Sequence, residues 1–477
     1  MWDYYKSKSE TGIIFYIFFD SLNDLAIKPL CFIKIKLLSK MHLSIKKKIY
    51  NLAVHLQKFP RSLTGKGNRE TLNSIKKVLK NLKLLSVPSG FKAYDWVVPE
   101  EWNFKNAYIL NPQGKKIIDV KDNILHLVNY SVPVKKKINL DKLQNHLHSS
   151  PKLPNAIPYV TSYYKKNWGF CLQHNQRKKL KKGKYQILID TDLKKGKLDY
   201  AELYIKGKTT KEIFLSTYIC HPFMANNEIS GPAVLTYLLD YFQKNINYYS
   251  IRAVFVPETI GSIVYLRKNI KILKKNVIAG FNLSCVGDER CYSYLPSRNG
   301  STLSDQVSIS ILKWVDKNFK KYSWNERGSD ERQYCSPGID LPIASVSRSK
   351  FGEYPEYHTS YDDFNRMVTA KGLYQSYQLY IKLIEAIQNN YYPKCKILCE
   401  PKLSKYGLYN PLRKINSTKP LFQSSITDPI INILSHADGK SSLIEISEKI
   451  NLPIWELYRV CEKLYKKKLI TINRKKT

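Results

Sequence analysis

The chain has 477 residues, 43% of them apolar, which suits two or three folded domains and excludes a disordered polymer. Its formal net charge of +39 invites a nucleic-acid reading, because a basic field attracts phosphate. Lysines outnumber arginines 64 to 14 and lie in dispersed runs such as 177–182 and 271–275, so they read as solvated faces, with an acidic-polymer partner left open.

Near the start, Ile13 to Phe19 forms a long apolar run. Its seven residues fall short of the roughly 20 that span a bilayer, and no basic stretch or small-residue cleavage site accompanies it. Ile33 to Tyr50 mixes lysines with apolar residues at helical spacing. Residues 1–50 therefore read as an amphipathic extension, with interfacial membrane contact as the lesser alternative. The nine cysteines carry no Cys-x-x-Cys pair, and Cys395 with Cys399 is too isolated for a zinc knuckle. Free thiols in a reducing cytoplasm are expected.

Leu52 to Leu85 reads as helical, with a loop over 64–70 and Thr71 capping the next helix. From Val87 the texture turns to β. Asp95 to Trp102, Ala107 to Gly114, Asn129 to Pro133, Ile157 to Tyr164 and Trp168 to Cys171 are rich in Trp, Tyr and Pro. Such density builds either a packed β core or a rim beside a cleft. Residues 91–190 are thus expected as a small β-rich domain, inserted into a larger domain made of 51–90 and 191–395.

The chemistry-bearing pattern begins at Leu215-Ser-Thr-Tyr-Ile-Cys-His-Pro-Phe-Met-Ala-Asn-Asn-Glu-Ile-Ser-Gly-Pro232. Leu215 to Cys220 reads as an apolar strand, His221 follows its end, and Ser230-Gly231-Pro232 opens the apolar helix 233–242. Ile251 to Pro257 is a second strand and ends on Glu258; Val277 to Gly287 is a third and ends on Asp288. A fourth, Ile343 to Ser347, precedes the loop bearing Tyr357-His358-Thr359. Ligands in open α/β sheets collect beyond the carboxyl ends of the strands. His221, Glu228, Glu258, Asp288 and His358 therefore suit a borderline-soft divalent cation, which favours imidazole and oxygen donors. Taken singly, Glu258 suits a helix start and Asp288 an Asx-turn.

His-Pro-x-Met-Ala-Asn-Asn-Glu-x-Ser-Gly-Pro, Val-Pro-Glu-Thr-Ile-Gly-Ser, Cys-Val-Gly-Asp-Glu-Arg and Gly-Ser-Asp-Glu-Arg-Gln-Tyr resemble the bacterial aminopeptidase-like proteins whose genes often lie among surface-polysaccharide clusters. The resemblance covers roughly residues 55 to 470. It implies an α/β fold of the zinc-exopeptidase, phosphorylase/hydrolase-like kind: a three-layer αβα domain with an inserted β-rich domain and a C-terminal winged helix. Two-zinc aminopeptidases have His-x-Asp where this chain has His221-Pro222-Phe223, and Asp-Asn-x-Ser-Gly where it has Asn227-Glu228-Ile-Ser-Gly231. Their paired glutamates shrink to Glu258. These departures imply one zinc per chain, held by His221, Glu228 and His358 with Asp288 as a fourth ligand. Degeneracy also leaves open a member that binds metal without hydrolysis.

A catalytic zinc lowers the pKa of bound water to about 7 and polarises a carbonyl. Glu258 is then the general base, and Asp330 with Arg332 faces the substrate. Arg332 suits either a bidentate hold on a substrate carboxylate or an ion pair within its own loop. A small peptide or an aminoacyl-type molecule is the expected substrate.

Asp428 to His436, Ser442 to Ile450 and Pro453 to Leu469 read as three helices, followed by the strand 470–473. That is the winged-helix plan over residues 423–477. Helix 454–468 carries Glu456 and Glu462 but few base-reading side chains, which favours a protein partner or packing over DNA. Two functions compete: a zinc-dependent hydrolase of a peptide or amide bond, and a winged-helix regulator that keeps a non-catalytic peptidase-like sensor.

Overall fold

The structure, a computed structural model, describes residues 43–408 and 429–474. The chain divides into two units, Met1–Ile45 and Lys46–Thr477. The apolar run 13–19 and most of the amphipathic stretch 33–50 lie outside the described residues.

The second unit opens in a helix that closes at residue 57, followed by the helix Lys66–Val78 and the strand Lys83–Pro88. This corrects the sequence expectation of a loop over 64–70 and of helix running on to Leu85. Strand 83–88 pairs antiparallel with Lys197–Ile205, so edge pairing overrides the helical character of its lysines and leucines. Thr71 is not a cap either. It sits within helix 66–78 and donates its hydroxyl to the Gly67 carbonyl at 2.9 Å.

An antiparallel four-stranded sheet comes next, in the order Lys116–Asp119, Glu101–Leu110, Lys184–Lys194, Val134–Asn139. Trp102, Tyr130 and Trp168 are buried in its core, and the Trp102 indole donates to the Ser131 carbonyl at 3.0 Å.

The main sheet has eight strands, in the order 83–88, 197–205, Tyr249–Val256, Thr209–Tyr218, Val277–Asn282, Ile343–Ser347, Ser293–Leu295, Lys320–Lys321. The four central strands, 249–256, 209–218, 277–282 and 343–347, are parallel. Every residue of 249–256 and of 343–347 is buried, as expected for strands covered on both faces. From strand 209–218 the chain crosses through helix Ser230–Gln243 to one neighbour. It then crosses back through helix Ile260–Asn276 to the other neighbour. That reversal makes the carboxyl end of 209–218 a topological switch point, and His221 lies three residues beyond it.

Helix Ala370–Gln388 leads into the strand Tyr392–Cys395, which pairs antiparallel with the last strand, Ile470–Asn473. Helices Pro429–His436, Leu443–Lys449 and Ile454–Lys466 complete a winged helix. Its first strand comes from residues 392–395, which sequence alone joins to the preceding domain. Helix 454–466 packs on helix 370–388, with the Lys382 ammonium 3.8 Å from the centre of the Trp455 ring. The eight cysteines among the described residues are free. Among those residues, no helix is long and apolar enough to cross a membrane.

Candidate active site

Strand 209–218 delivers His221 through a tight turn. Phe223 takes a left-handed φ of 68°, and Ala225–Ile229 forms a π-turn that feeds helix 230–243. Gly231 is required there, since a Cβ would overlap the Leu283 carbonyl and the Thr217 hydroxyl. The turn is clamped by Asp362, whose carboxylate accepts from the backbone N–H of Asn226 at 2.5 Å and of Asn227 at 3.0 Å. Burial pushes the Asp362 carboxyl up to about 6.

Glu228 lies behind the imidazole. One of its oxygens is 2.7 Å from His221 Nδ1, and both residues are buried. Arg61 reaches the same spot from the segment after the first helix. It donates through Nε to the His221 carbonyl at 3.0 Å, and that nitrogen is 4.0 Å from the other Glu228 oxygen. Burial lowers the Arg61 pKa, against the pull of Glu228. Burial also opposes charge on His221, but Glu228 and then Glu258 outweigh it, so the pKa is raised.

On its other side, His221 Nε2 is 3.6 Å from a Glu258 oxygen, and the Glu258 side chain is 21% exposed. Burial raises the Glu258 pKa, with His221 as the main counterweight. The Ser329 hydroxyl, then the Arg332 charge, also oppose that rise. The His358 ring centre is 5.2 Å from that of His221. His358 sits at φ 54°, stacks on Tyr357 at 3.9 Å, and its buried Nε2 has no hydrogen-bond partner. Burial, then the nearby His221, holds its pKa well below the ordinary value.

These positions decide which expected groups meet. Glu228, Glu258 and His358 each lie against His221, while the described residues whose ligand atoms all lie within 4.8 Å of one another are Cys220, His221 and Glu228. Asp288 is differently engaged: it accepts from Asn226 Nδ2 at 3.1 Å, and from Arg290 N, Ser349 N and Ser349 Oγ at 2.9 Å each. Asp330 is fully buried, and one of its oxygens accepts from Thr259 N at 2.7 Å and Ser262 Oγ at 2.8 Å. It thereby braces Thr259, which holds a φ of 66° directly after Glu258. Arg332 does not pair within its loop. It donates to Thr259 Oγ1 at 2.7 Å, while neighbouring Glu331 accepts from Gly328 N, Ser329 N and Asn282 Nδ2.

Cys220, His221 and Glu228 could also be read as a metal set. Burial, then Glu228, raises the Cys220 pKa far above normal, and the sulfur already receives the Glu258 N–H at 3.2 Å. A buried neutral thiol is a poor ligand. His221 Nε2 and the buried, unpartnered His358 Nε2, on rings 5.2 Å apart, fit a cation better. A metal-binding histidine usually gives its other nitrogen to a carboxylate, as His221 does to Glu228, and the unpartnered His358 Nε2 lies beside it.

The segment that carries Tyr159 supplies a wall that the motifs did not reveal. Tyr159 packs 5.1 Å from the His221 ring and 5.2 Å from the His358 ring, and its backbone N–H donates to the His358 carbonyl at 2.8 Å. Arg61, Asp362, Tyr159 and Ser329 all went unassigned in the sequence. Of these, Ser329 stood within the motif Gly-Ser-Asp-Glu-Arg-Gln-Tyr and Tyr159 within the β-textured segment 157–164, but neither was given a role there.

Fold and site together define an aminopeptidase-like α/β protein with a C-terminal winged helix. The chain belongs to the family described as a domain of unknown function, DUF4910, whose model matches residues 50–390. A winged helix-turn-helix model matches residues 390–472. A protein of Clostridium acetobutylicum, provisionally named a polysaccharide biosynthesis protein with an aminopeptidase-like domain, is 40% identical over 425 residues, covering 89% of this chain and 96% of that one. A crystal structure of a provisionally assigned peptidase from Clostridium acetobutylicum matches with TM-score 0.83 at 37% identity, over 92% of this chain and 99% of the other. BSAP, a zinc aminopeptidase from Bacillus subtilis, matches with TM-score 0.53 at 11% identity, over 72% of this chain and 94% of its own, and shares the fold.

Proposed function

We propose that this chain is a zinc-dependent hydrolase of a peptide or amide bond, with one ion held by His221 Nε2 and His358 Nε2. The observation that carries this reading is the unpartnered Nε2 of His358 beside a His221 whose Nδ1 is already held by Glu228. Glu228 orients the ring, and Asp288 is engaged in tying its loop to Asn226 and Ser349, so neither is assigned as a ligand. When bound, zinc supplies Lewis-acid polarisation and an acidified water.

Glu258 takes the water proton and returns it to the leaving nitrogen; its upward-shifted carboxyl suits that role. Arg332 binds a substrate carboxylate or carbonyl at the same mouth, and Tyr159 keeps bulk water from the two imidazoles. The name of the Clostridium acetobutylicum relative supports a role linked to polysaccharide biosynthesis. Two protein imidazoles are one ligand fewer than catalytic zinc sites commonly have, so the ion should exchange readily.

The test is metal analysis of full-length protein, with a panel of aminoacyl amides as substrates. Zinc-dependent hydrolysis, lost together with zinc in His358→Ala, supports the reading. Zinc retained at wild-type occupancy in both His221→Ala and His358→Ala would end it.

A further inference from the structure

The inserted domain carries an aromatic shelf, exposed at Tyr94 and Tyr164 and half-buried at Trp96, that runs into the active site. The hairpin Lys92–Ala93 and Trp96–Val97 turns at Tyr94, which is 54% exposed with a left-handed φ of 55°. Trp96 meets Tyr164 edge to face at 5.4 Å, and Tyr164 is 61% exposed. Tyr164 contacts Tyr163 at 6.3 Å, and the Tyr163 hydroxyl lies 2.5 Å from that of Tyr159, the residue packed on both imidazoles. The file Trp96, Tyr164, Tyr163, Tyr159 thus joins open surface to His221 and His358. Burial, then Cys220, raises the Tyr164 hydroxyl to about 12, with Arg332 opposing.

An exposed aromatic surface of this kind is costly unless something covers it. The covering group must present an apolar face to the rings and polar atoms to their surroundings. Asp95 and Lys165 are exposed chain neighbours of Trp96 and Tyr164, and the Arg267 guanidinium lies 6.0 Å from the Tyr94 ring centre. A pyranose ring meets both demands: one face of C–H groups, and a rim of hydroxyls that bond to charged and amide groups. An aliphatic peptide side chain is served better by an enclosed apolar pocket than by an open shelf.

We propose that Trp96 and Tyr164 form a sugar-binding subsite, and that the substrate is an amino sugar carrying an acyl group on its nitrogen. This rests on the hydrolase reading. In the reaction, the acyl C–N bond breaks and a C–O bond forms to the oxygen of water. One water proton passes through Glu258 to the nitrogen, leaving a free carboxylic acid and the amino sugar.

The experiment titrates full-length protein with methyl 2-acetamido-2-deoxyglucoside and methyl glucoside, read by saturation-transfer NMR, beside Trp96→Ala, Tyr164→Ala and Tyr164→Phe. Zinc content and hydrolysis of the aminoacyl amides are measured on the same samples. Saturable binding of either glycoside, weakened about tenfold by each alanine and kept by Tyr164→Phe, is the expected result. Zinc content should not change in any of them. No saturable binding to the wild type, or Tyr164→Ala binding as well as wild type, overturns the subsite even where hydrolysis persists. Shelf-dependent binding without zinc-dependent hydrolysis upholds the subsite and overturns only the hydrolase reading.

Discussion

The Glu228 carboxylate sits 2.7 Å from Nδ1 of His221, on the side of the ring away from Glu258. A carboxylate in that place fixes the tautomer and leaves Nε2 to face the cleft. Seven residues separate the two in sequence, and the π-turn at 225–229 folds one back upon the other.

Glu228→Gln should therefore lower zinc affinity by about 10–100-fold, because the amide still accepts from Nδ1 but no longer strengthens the imidazole as a donor. Competition with a chromogenic chelator measures this. Unchanged affinity would remove Glu228 from the metal site altogether.

Replacing Glu258 by Gln tests the proton acceptor. Zinc content should persist while turnover of an aminoacyl amide falls about 10²–10⁴-fold. Loss of zinc would instead make Glu258 a ligand.

Arg61 is fully buried between the Leu56 and His221 carbonyls and the Glu228 carboxylate. Arg61→Met leaves Glu228 without its cation, at a cost of about 3–5 kcal/mol. Urea unfolding measures the loss, and a change below the experimental error would show that Glu228 is compensated elsewhere.

Asp330 gives a pH signature. Burial, then the neighbouring Glu258, raises its carboxyl from 3.8 to about 8. The folded state then holds a proton that the unfolded state has lost, so stability falls as pH rises from about 4 to about 8. Asp330→Asn keeps an oxygen for the Thr259 and Ser262 donors and removes the charge. Its stability should fall less across that window than that of wild type, as read by urea midpoints at several pH values. Parallel curves would remove Asp330 as the titrating group.

The face of helix 454–466 that carries Trp455 lies against helix 370–388, where Lys382 covers the indole. Full-length protein should show no sequence-preferring duplex DNA binding at sub-micromolar concentration in physiological salt. Fluorescence anisotropy tests this, and such binding would bring back the regulator reading.

Local chemistry in the chain was enough to place the parallel strands ending near His221, Glu258 and His358, and the three helices of the winged helix. Apolar runs of strand length, helix starts such as Ser230-Gly231-Pro232, and amphipathic spacing are written into neighbouring residues. Strand 83–88 was not legible in this way, because its character comes from pairing with 197–205, more than a hundred residues later. Strand 392–395 likewise became part of the winged helix only by pairing with 470–473.

The same division runs through the site. Sequence could nominate His221, Glu228, Glu258, Asp288, Asp330, Arg332 and His358 as one group, since each follows a strand or sits in a polar motif. Only the folded chain could sort them into those facing the cleft, those behind His221 and those spent on loops. A carboxylate's role depends on which donors reach it in space. For Glu228 that donor is an imidazole bent back by a π-turn, for Asp288 a serine 61 residues away, and for Asp330 the backbone of a strained threonine 71 residues away.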